Sequence, residues 1–242
     1  MAVSKIPILI TGGGQRLGLA CAIALAEEGY DVVITFRTYR ESIDILKKMG
    51  VRCIQADFST QSGVDAFVEI IMKDYQGIRA IIHNASDWAS EEDAIDPNEL
   101  MTKMWQIHVF SPYRINLAFE SLLYNASATF GMADVIHITD YVVEKGSDNH
   151  IAYASSKAGL ANLTMSFSKR FAPSVKVNSI SPSLLMFNEQ DSLEYREKAR
   201  EKILLSKEPG EQEGVSAVQY LLKSQYMTGR TLSLDGGRHL IK

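Results

Sequence analysis

Cysteine is scarce in this sequence, and both copies, Cys21 and Cys53, sit in apolar surroundings. That pattern excludes a disulfide scaffold and fits a reduced, cytoplasmic protein. Long apolar runs are also missing, and none approaches the length that spans a bilayer. The opening residues carry no extended apolar run of the kind that heads an export signal, so no such signal is expected. Positive charge is not in excess: 25 Lys and Arg stand against 29 Asp and Glu, for a net charge of -4. Nucleic acid and anionic membrane are therefore not expected as general partners, and an anionic ligand must be held by local groups. The five histidines lack metal-ligand spacing, so no metal is expected. No repeat, low-complexity block or linker divides the chain, which reads as one domain over residues 1–242.

What is present is an alternation of short β-branched runs with longer helical ones. Strands are predicted at Ile6–Ile10, Asp31–Phe36, Val51–Ala56, Ile78–Asn84, Asp134–Thr139, Val175–Ser181 and Thr231–Leu234. Helices are predicted at Leu19–Glu28, Arg40–Lys48, Gln61–Tyr75, Pro97–Tyr124, Ala152–Phe171, Ser192–Leu204 and Glu213–Lys223. Gly29 and Gly50 close helices, Ser59 or Thr60 caps the third, and Asp96 before Pro97 gives a cap and a first-turn proline. Near-continuous apolar strands between helices imply an α/β fold, a parallel sheet covered on both faces and doubly wound. Ligands of such sheets lie beyond the carboxyl ends of the strands, at the switch point.

Polar clusters fall at those ends. The first is Thr11-Gly12-Gly13-Gly14-Gln15-Arg16-Leu17-Gly18, a glycine-rich turn between strand and helix. Glycines let the backbone approach a phosphate, and a helix N-terminus supplies N–H groups and positive potential. Gly12, Gly14, Arg16 and Leu17 are thus candidate dinucleotide contacts, the alternative being a flexible turn. Arg16 stands where many such loops carry another glycine. After the second strand come Arg37 and Thr38 in place of an acidic residue. A guanidinium there suits a 2′-phosphate, so NADPH is expected over NADH, unless Arg37 is a plain surface charge. Asp57 is placed to accept from an adenine amine or to serve as a helix-proximal carboxylate. Asn84, Ala85 and Ser86 leave room for a flat ligand. Residues 186–210, charged and ending in Pro209-Gly210, read as a lid or as solvated helix.

Tyr153-Ala154-Ser155-Ser156-Lys157 carries the catalytic signal. Tyrosine and lysine four apart share a helix face, and a nearby ammonium is expected to lower the phenol's pKa. Such a tyrosine can protonate a substrate as hydride arrives.

Taken together, Thr11–Gly18, His83-Asn84-Ala85-Ser86, Tyr153 with Lys157, Val177–Pro182 and Gly229 with Leu234–Gly237 resemble the short-chain dehydrogenase/reductases over nearly the whole chain. The resemblance implies a seven-stranded Rossmann-like subunit, usually a homotetramer, with Lys157 on the nicotinamide ribose as well as on Tyr153. Pro182 falls in the family's cofactor motif, followed by Ser183 where glycine is usual. Asp140 stands in place of the catalytic serine, and His108 in place of an asparagine. Arg16, Asp140 and the Asn-Ala-Ser-x-Trp run resemble the pteridine reductases and, over the whole chain, the bacterial dihydromonapterin reductases. That implies NADPH-dependent reduction of 7,8-dihydromonapterin or a related dihydropterin or dihydrofolate. In this reading Trp88 stacks on the pterin, unless it is a packing residue. Ser86, Arg16, Asp140 and Tyr153 meet the ring. Tyr153, or Asp140 directly or through water, supplies the proton, and His108 closes a water network. Phe187 and Asn188 are candidates for choosing among pterins. The competing expectations are a carbonyl or 3-oxoacyl reductase of the same family and a non-catalytic NADPH-sensing regulator.

Overall fold

A computed structural model describes residues 6–187 and 190–241. Seven strands form one wholly parallel sheet: β1 (Ile8–Thr11), β2 (Val32–Phe36), β3 (Arg52–Gln55), β4 (Ala80–His83), β5 (Ala133–Ile138), β6 (Val175–Pro182) and β7 (Thr231–Leu234). Their order is β3-β2-β1-β4-β5-β6-β7, so the winding reverses between β1 and β4. Successive strand residues point to opposite faces, which splits the core in two. Ile8, Ile10, Val32, Ile34, Ile82, Ile136 and Ile180 pack on one side with Leu25 and Val218. Leu9, Val33, Ile81, Val135 and Val177 pack on the other with Phe67, Phe119 and Phe167. Both faces are covered, as the continuous apolar strands require.

The helices are α1 (Arg16–Glu27), α2 (Glu41–Lys48), α3 (Gln61–Asp74), α4 (Pro97–Trp105), α5 (Ser111–Ala118), α6 (Glu120–Phe130), α7 (Val142–Lys145), α8 (Ile151–Phe171), α9 (Leu193–Glu201) and α10 (Glu211–Lys223). Thr60 caps α3 by accepting from the Gly63 amide, and Asp96 caps α4 by accepting from Asn98. Gly29 and Gly50 take φ values of +87° and +85° where their helices end.

The single helix expected over Pro97–Tyr124 is not there. It is broken at a π-helical turn, Gln106–Phe110, and again at Phe119, and its last segment runs on to Phe130. Pro112 explains the first break. It has no N–H to give the carbonyl of His108, so the ladder lengthens and the Ser111 amide bonds to Gln106 O, five residues back. The turn aims His108 into the protein below the end of β4.

Candidate active site

At the switch point, Thr11 ties β1 to the chain leaving β4. Its hydroxyl accepts from the amides of Asn84 and Ala85, each at 3.0 Å. Asn84 returns the bond, its Nδ2 donating to Thr11 O at 3.2 Å and Gly12 O at 2.9 Å. The glycine turn fits between. A Cβ on Gly12 would lie 2.8 Å from Ala85 Cα, and one on Gly18 would lie 2.3 Å from Gly12 O. Both positions therefore demand glycine, and the turn leads directly into the start of α1. Arg16 has φ +50°, a left-handed conformation that costs a non-glycine residue on the order of 1 kcal/mol. This explains why glycine is common there. The Arg16 guanidinium reaches across and donates to Met186 O at 3.2 Å, joining the turn to the 186–210 segment.

A groove of about 380 Å³ runs over this turn, and every residue assigned above to a dinucleotide lines it. At its outer end Arg37 donates to Asp87 at 3.1 Å, and Lys103 meets the same carboxylate at 2.7 Å. Asp57 accepts from the Ser59 amide at 2.9 Å and hydroxyl at 2.7 Å. Burial opposes its charge, but those Ser59 bonds and the nearby Arg37 and Lys103 hold its carboxyl below the usual range.

The catalytic helix α8 begins on a borrowed cap. Glu91 accepts from the Ile151 and Ala152 amides at 2.9 and 2.8 Å, and these bonds keep its carboxyl ionised below the usual pH. One turn on, the Tyr153 hydroxyl donates to Asp140 Oδ2 at 2.9 Å, while Asp140 Oδ1 accepts from the Val142 amide at 2.8 Å. Lys157 Nζ donates to Ile138 O at 2.9 Å and lies 5.6 Å from the Tyr153 ring centre.

The expected fall in the Tyr153 pKa is overturned. Burial comes first, and the charge and hydrogen bond of Asp140 add to it, pushing the phenol well above its ordinary value. Burial and the bonded Asp140 carboxylate, opposed in part by the Ser86 bond, set the phenol's titration, not the lysine. Burial also raises the Asp140 carboxyl and lowers the Lys157 ammonium, to about 8 for the lysine. The group whose titration moves toward a useful range for acid catalysis is thus Asp140, not the phenol.

A second cavity, of about 550 Å³, shares Asp140, Tyr153 and Ser183 with the groove. Trp88 stands in its wall, 62% exposed, with its ring stacked on His150 at 4.2 Å and 28°. It is not a buried packing residue. Lys145, Lys202 and Arg238 line the same cavity. Sequence reasoning missed His150, Asp87 and these three cations. His150, just upstream of Tyr153, offered a faint signal, and the others gave none before folding. Phe187 lines neither cavity. It packs on Tyr195, Arg196 and Arg200 of α9. Asn188 lies outside the described residues. Among the described residues, no group of three His, Cys, Asp or Glu is arranged to hold a metal, and no helix is long and apolar enough to cross a membrane.

Comparison with known proteins places this geometry in context. A family model described as "Enoyl-(Acyl carrier protein) reductase" matches residues 14–239. The dihydromonapterin reductase of Escherichia coli O6:H1 is 52% identical over 236 residues, covering 98% of each chain. That of Shigella sonnei is 52% identical over 235 residues, covering 97% of each. The structure of FolM alternative dihydrofolate reductase 1 from Brucella canis, complexed with NADP, superposes with a TM-score of 0.87 at 25% identity, over 99% of this chain and 96% of that one. Its counterpart from Brucella suis, also with NADP, gives 0.86 at 26% identity, over 98% and 96%.

Proposed function

The chain belongs to the short-chain dehydrogenase/reductase family, and we propose that it reduces a 7,8-dihydropterin, foremost dihydromonapterin, with NADPH. The observation that carries this reading is the junction of two cavities at a part-buried Tyr153–Asp140 pair, with an exposed aromatic wall on the substrate side. Identity of 52% to dihydromonapterin reductases supports the choice of substrate.

The groove fits a dinucleotide. Gly12 and Gly18 let the turn pack tightly on Ala85 and on itself, and the turn leads into the N-terminus of α1, which suits a pyrophosphate. Arg37 at the outer end suits the 2′-phosphate of NADPH, drawing its guanidinium from Asp87. Lys157 would hold the nicotinamide ribose. Bound there, NADPH would supply the hydride that reduces pterin C6.

The proton for N5 comes from the paired side chains. When Asp140 is ionised, the Tyr153 proton is turned onto it, as the 2.9 Å bond records. When Asp140 is protonated, it donates to the phenol oxygen, and the phenol proton is freed to face the substrate. Asp140 is then the acid and Tyr153 its relay. Its raised pKa makes that protonated form accessible nearer neutral pH than for an exposed carboxyl. Trp88 would cover one ring face, and Arg16 would close the site together with residues 186–210 as a lid, since its guanidinium already bridges the turn and Met186. Homotetramer formation remains part of this proposal through the family alone.

Reduction of an acyl thioester, the reaction class in the family model's description, would place an apolar chain in the second cavity. The lining of that cavity by Asp140, Asp148, Lys145, Lys202 and Arg238 speaks against it. The test uses NADPH deuterated at the transferring C4 position. The reading expects one NADPH consumed per tetrahydropterin, with deuterium at C6. Consumption without label at C6, or no consumption, overturns it.

A further inference from the structure

We propose that His108 is a positioning residue that fixes the Ser86 hydroxyl as a hydrogen-bond acceptor facing the ligand, so that the site selects substrates presenting an N–H at that point. This rests on the pterin reading and deepens it.

One chain of contacts fixes where each proton must lie. Ser156 Oγ lies 2.7 Å from Tyr153 O, a carbonyl that can accept and never donate. The one Ser156 proton is committed there. The contact of 2.8 Å between Ser156 Oγ and His108 Nδ1 must then take its proton from the imidazole, so Nδ1 carries the hydrogen. His108 is 1% exposed. Burial, with Lys157 nearby, lowers its pKa to about 2, so at neutral pH it carries one N–H. Nε2 is therefore bare. Two groups converge on it: the Asp87 amide at 3.4 Å, which can only donate, and Ser86 Oγ at 2.8 Å. The Ser86 proton consequently goes to Nε2. Its other contacts are Asp87 O, farther off at 3.3 Å, and the Tyr153 hydroxyl, which already spends its own proton on Asp140. Ser86 lines the groove beside Tyr153, where the groove meets the second cavity, and what it shows there is an oxygen with lone pairs.

That polarity has consequences for the ligand. A dihydropterin edge offers N–H donors at the ring nitrogens and the amino group. The reacting end of a ketone or acyl thioester offers acceptors alone, and two acceptors facing each other in a partly buried site are unfavourable. The histidine reaches Ser86 because the π turn at Gln106–Phe110 aims it there. Its ring also stands edge-on to Tyr153, 5.5 Å between centres at 87°, so the same side chain braces the phenol.

The experiment has a structural arm and a kinetic one. In protein with 15N-labelled histidine at pH 7, with His108→Gln identifying the signals, Nδ1 is expected protonated and Nε2 bare. A His108 protonated at Nε2 overturns the proposal. In the kinetic arm, Ser156→Ala removes the acceptor for Nδ1–H and favours the opposite tautomer, which turns the Ser86 proton outward. The KM for dihydromonapterin should rise about tenfold while kcat changes little and the Kd for NADPH stays put. Ser86→Ala should raise the KM similarly, and the double variant should be no worse than Ser86→Ala alone. Unchanged KM values, or two effects that simply multiply, overturn the proposal. Should the native protein fail to turn over dihydromonapterin, the substrate reading falls, and the 15N result still decides the tautomer.

Discussion

The two cavities that meet at Tyr153 are built in different ways. The groove has a floor of contiguous chain, while its walls gather residues from the ends of β2, β3, β4, β5 and β6. Its floor is one turn, residues 11–18, and its shape depends on side chains that are absent at Gly12 and Gly18. The second cavity is assembled from side chains that converge from remote places: Trp88 after β4, His150 before α8, Lys202 after α9 and Arg238 after β7. A cofactor shared by many enzymes can be met by backbone geometry, which tolerates drift elsewhere. A particular substrate must be met by side chains, and these are supplied one at a time by the ends of separate elements.

This contrast is open to attack, and the sharpest blow falls where the cavities join. Asp140→Asn and Tyr153→Phe should each lower kcat by on the order of 100-fold or more, the usual worth of a positioned acid, with NADPH affinity little changed. The acid-side pH dependence of the native rate should vanish in Asp140→Asn. Near-normal turnover in that variant removes Asp140 from the acid role. On the groove side, Arg37→Asp should cost roughly 10- to 100-fold in kcat/KM for NADPH through the loss of charge-assisted bonds, and little for NADH or the pterin. An unchanged cofactor preference makes Arg37 a surface charge paired with Asp87. On the chamber side, Trp88→Ala should raise the pterin KM by about tenfold, as expected from losing an aromatic contact, and leave the Kd of NADPH alone. If the cofactor suffers equally, the two cavities are not separable. The smallest effect is a pH trend: kcat/KM should fall to about half as pH rises through about 8, where Lys157 loses its charge, and rate profiles at fixed ionic strength would show it.

Legibility in the sequence follows the same divide. Strand alternation, the glycine turn and the Tyr153–Lys157 spacing are local patterns, and each lands where local physics places it. The helix over Pro97–Tyr124 read as continuous because its apolar period carries through Pro112, whose missing N–H shifts the ladder at His108. The pKa of Tyr153 is not legible, because spacing reveals the lysine four residues on but not the depth of burial or the reach of Asp140 across the fold. The Trp88–His150 stack joins residues 62 apart, and nothing in either neighbourhood announces the other. Arg16 was visible as an oddity, whereas its left-handed φ and its bond to Met186 belong to the folded chain.

The central claim is that the junction at Tyr153 and Asp140 reduces a dihydropterin. The most direct measurement is kcat/KM with NADPH for dihydromonapterin, dihydrobiopterin and dihydrofolate beside an acetoacetyl thioester. The account predicts turnover of the pterins at least about 100-fold above the thioester, a margin of the size set by a polar site meeting the wrong donor pattern. Thioester turnover equal to or above that of every pterin would contradict it.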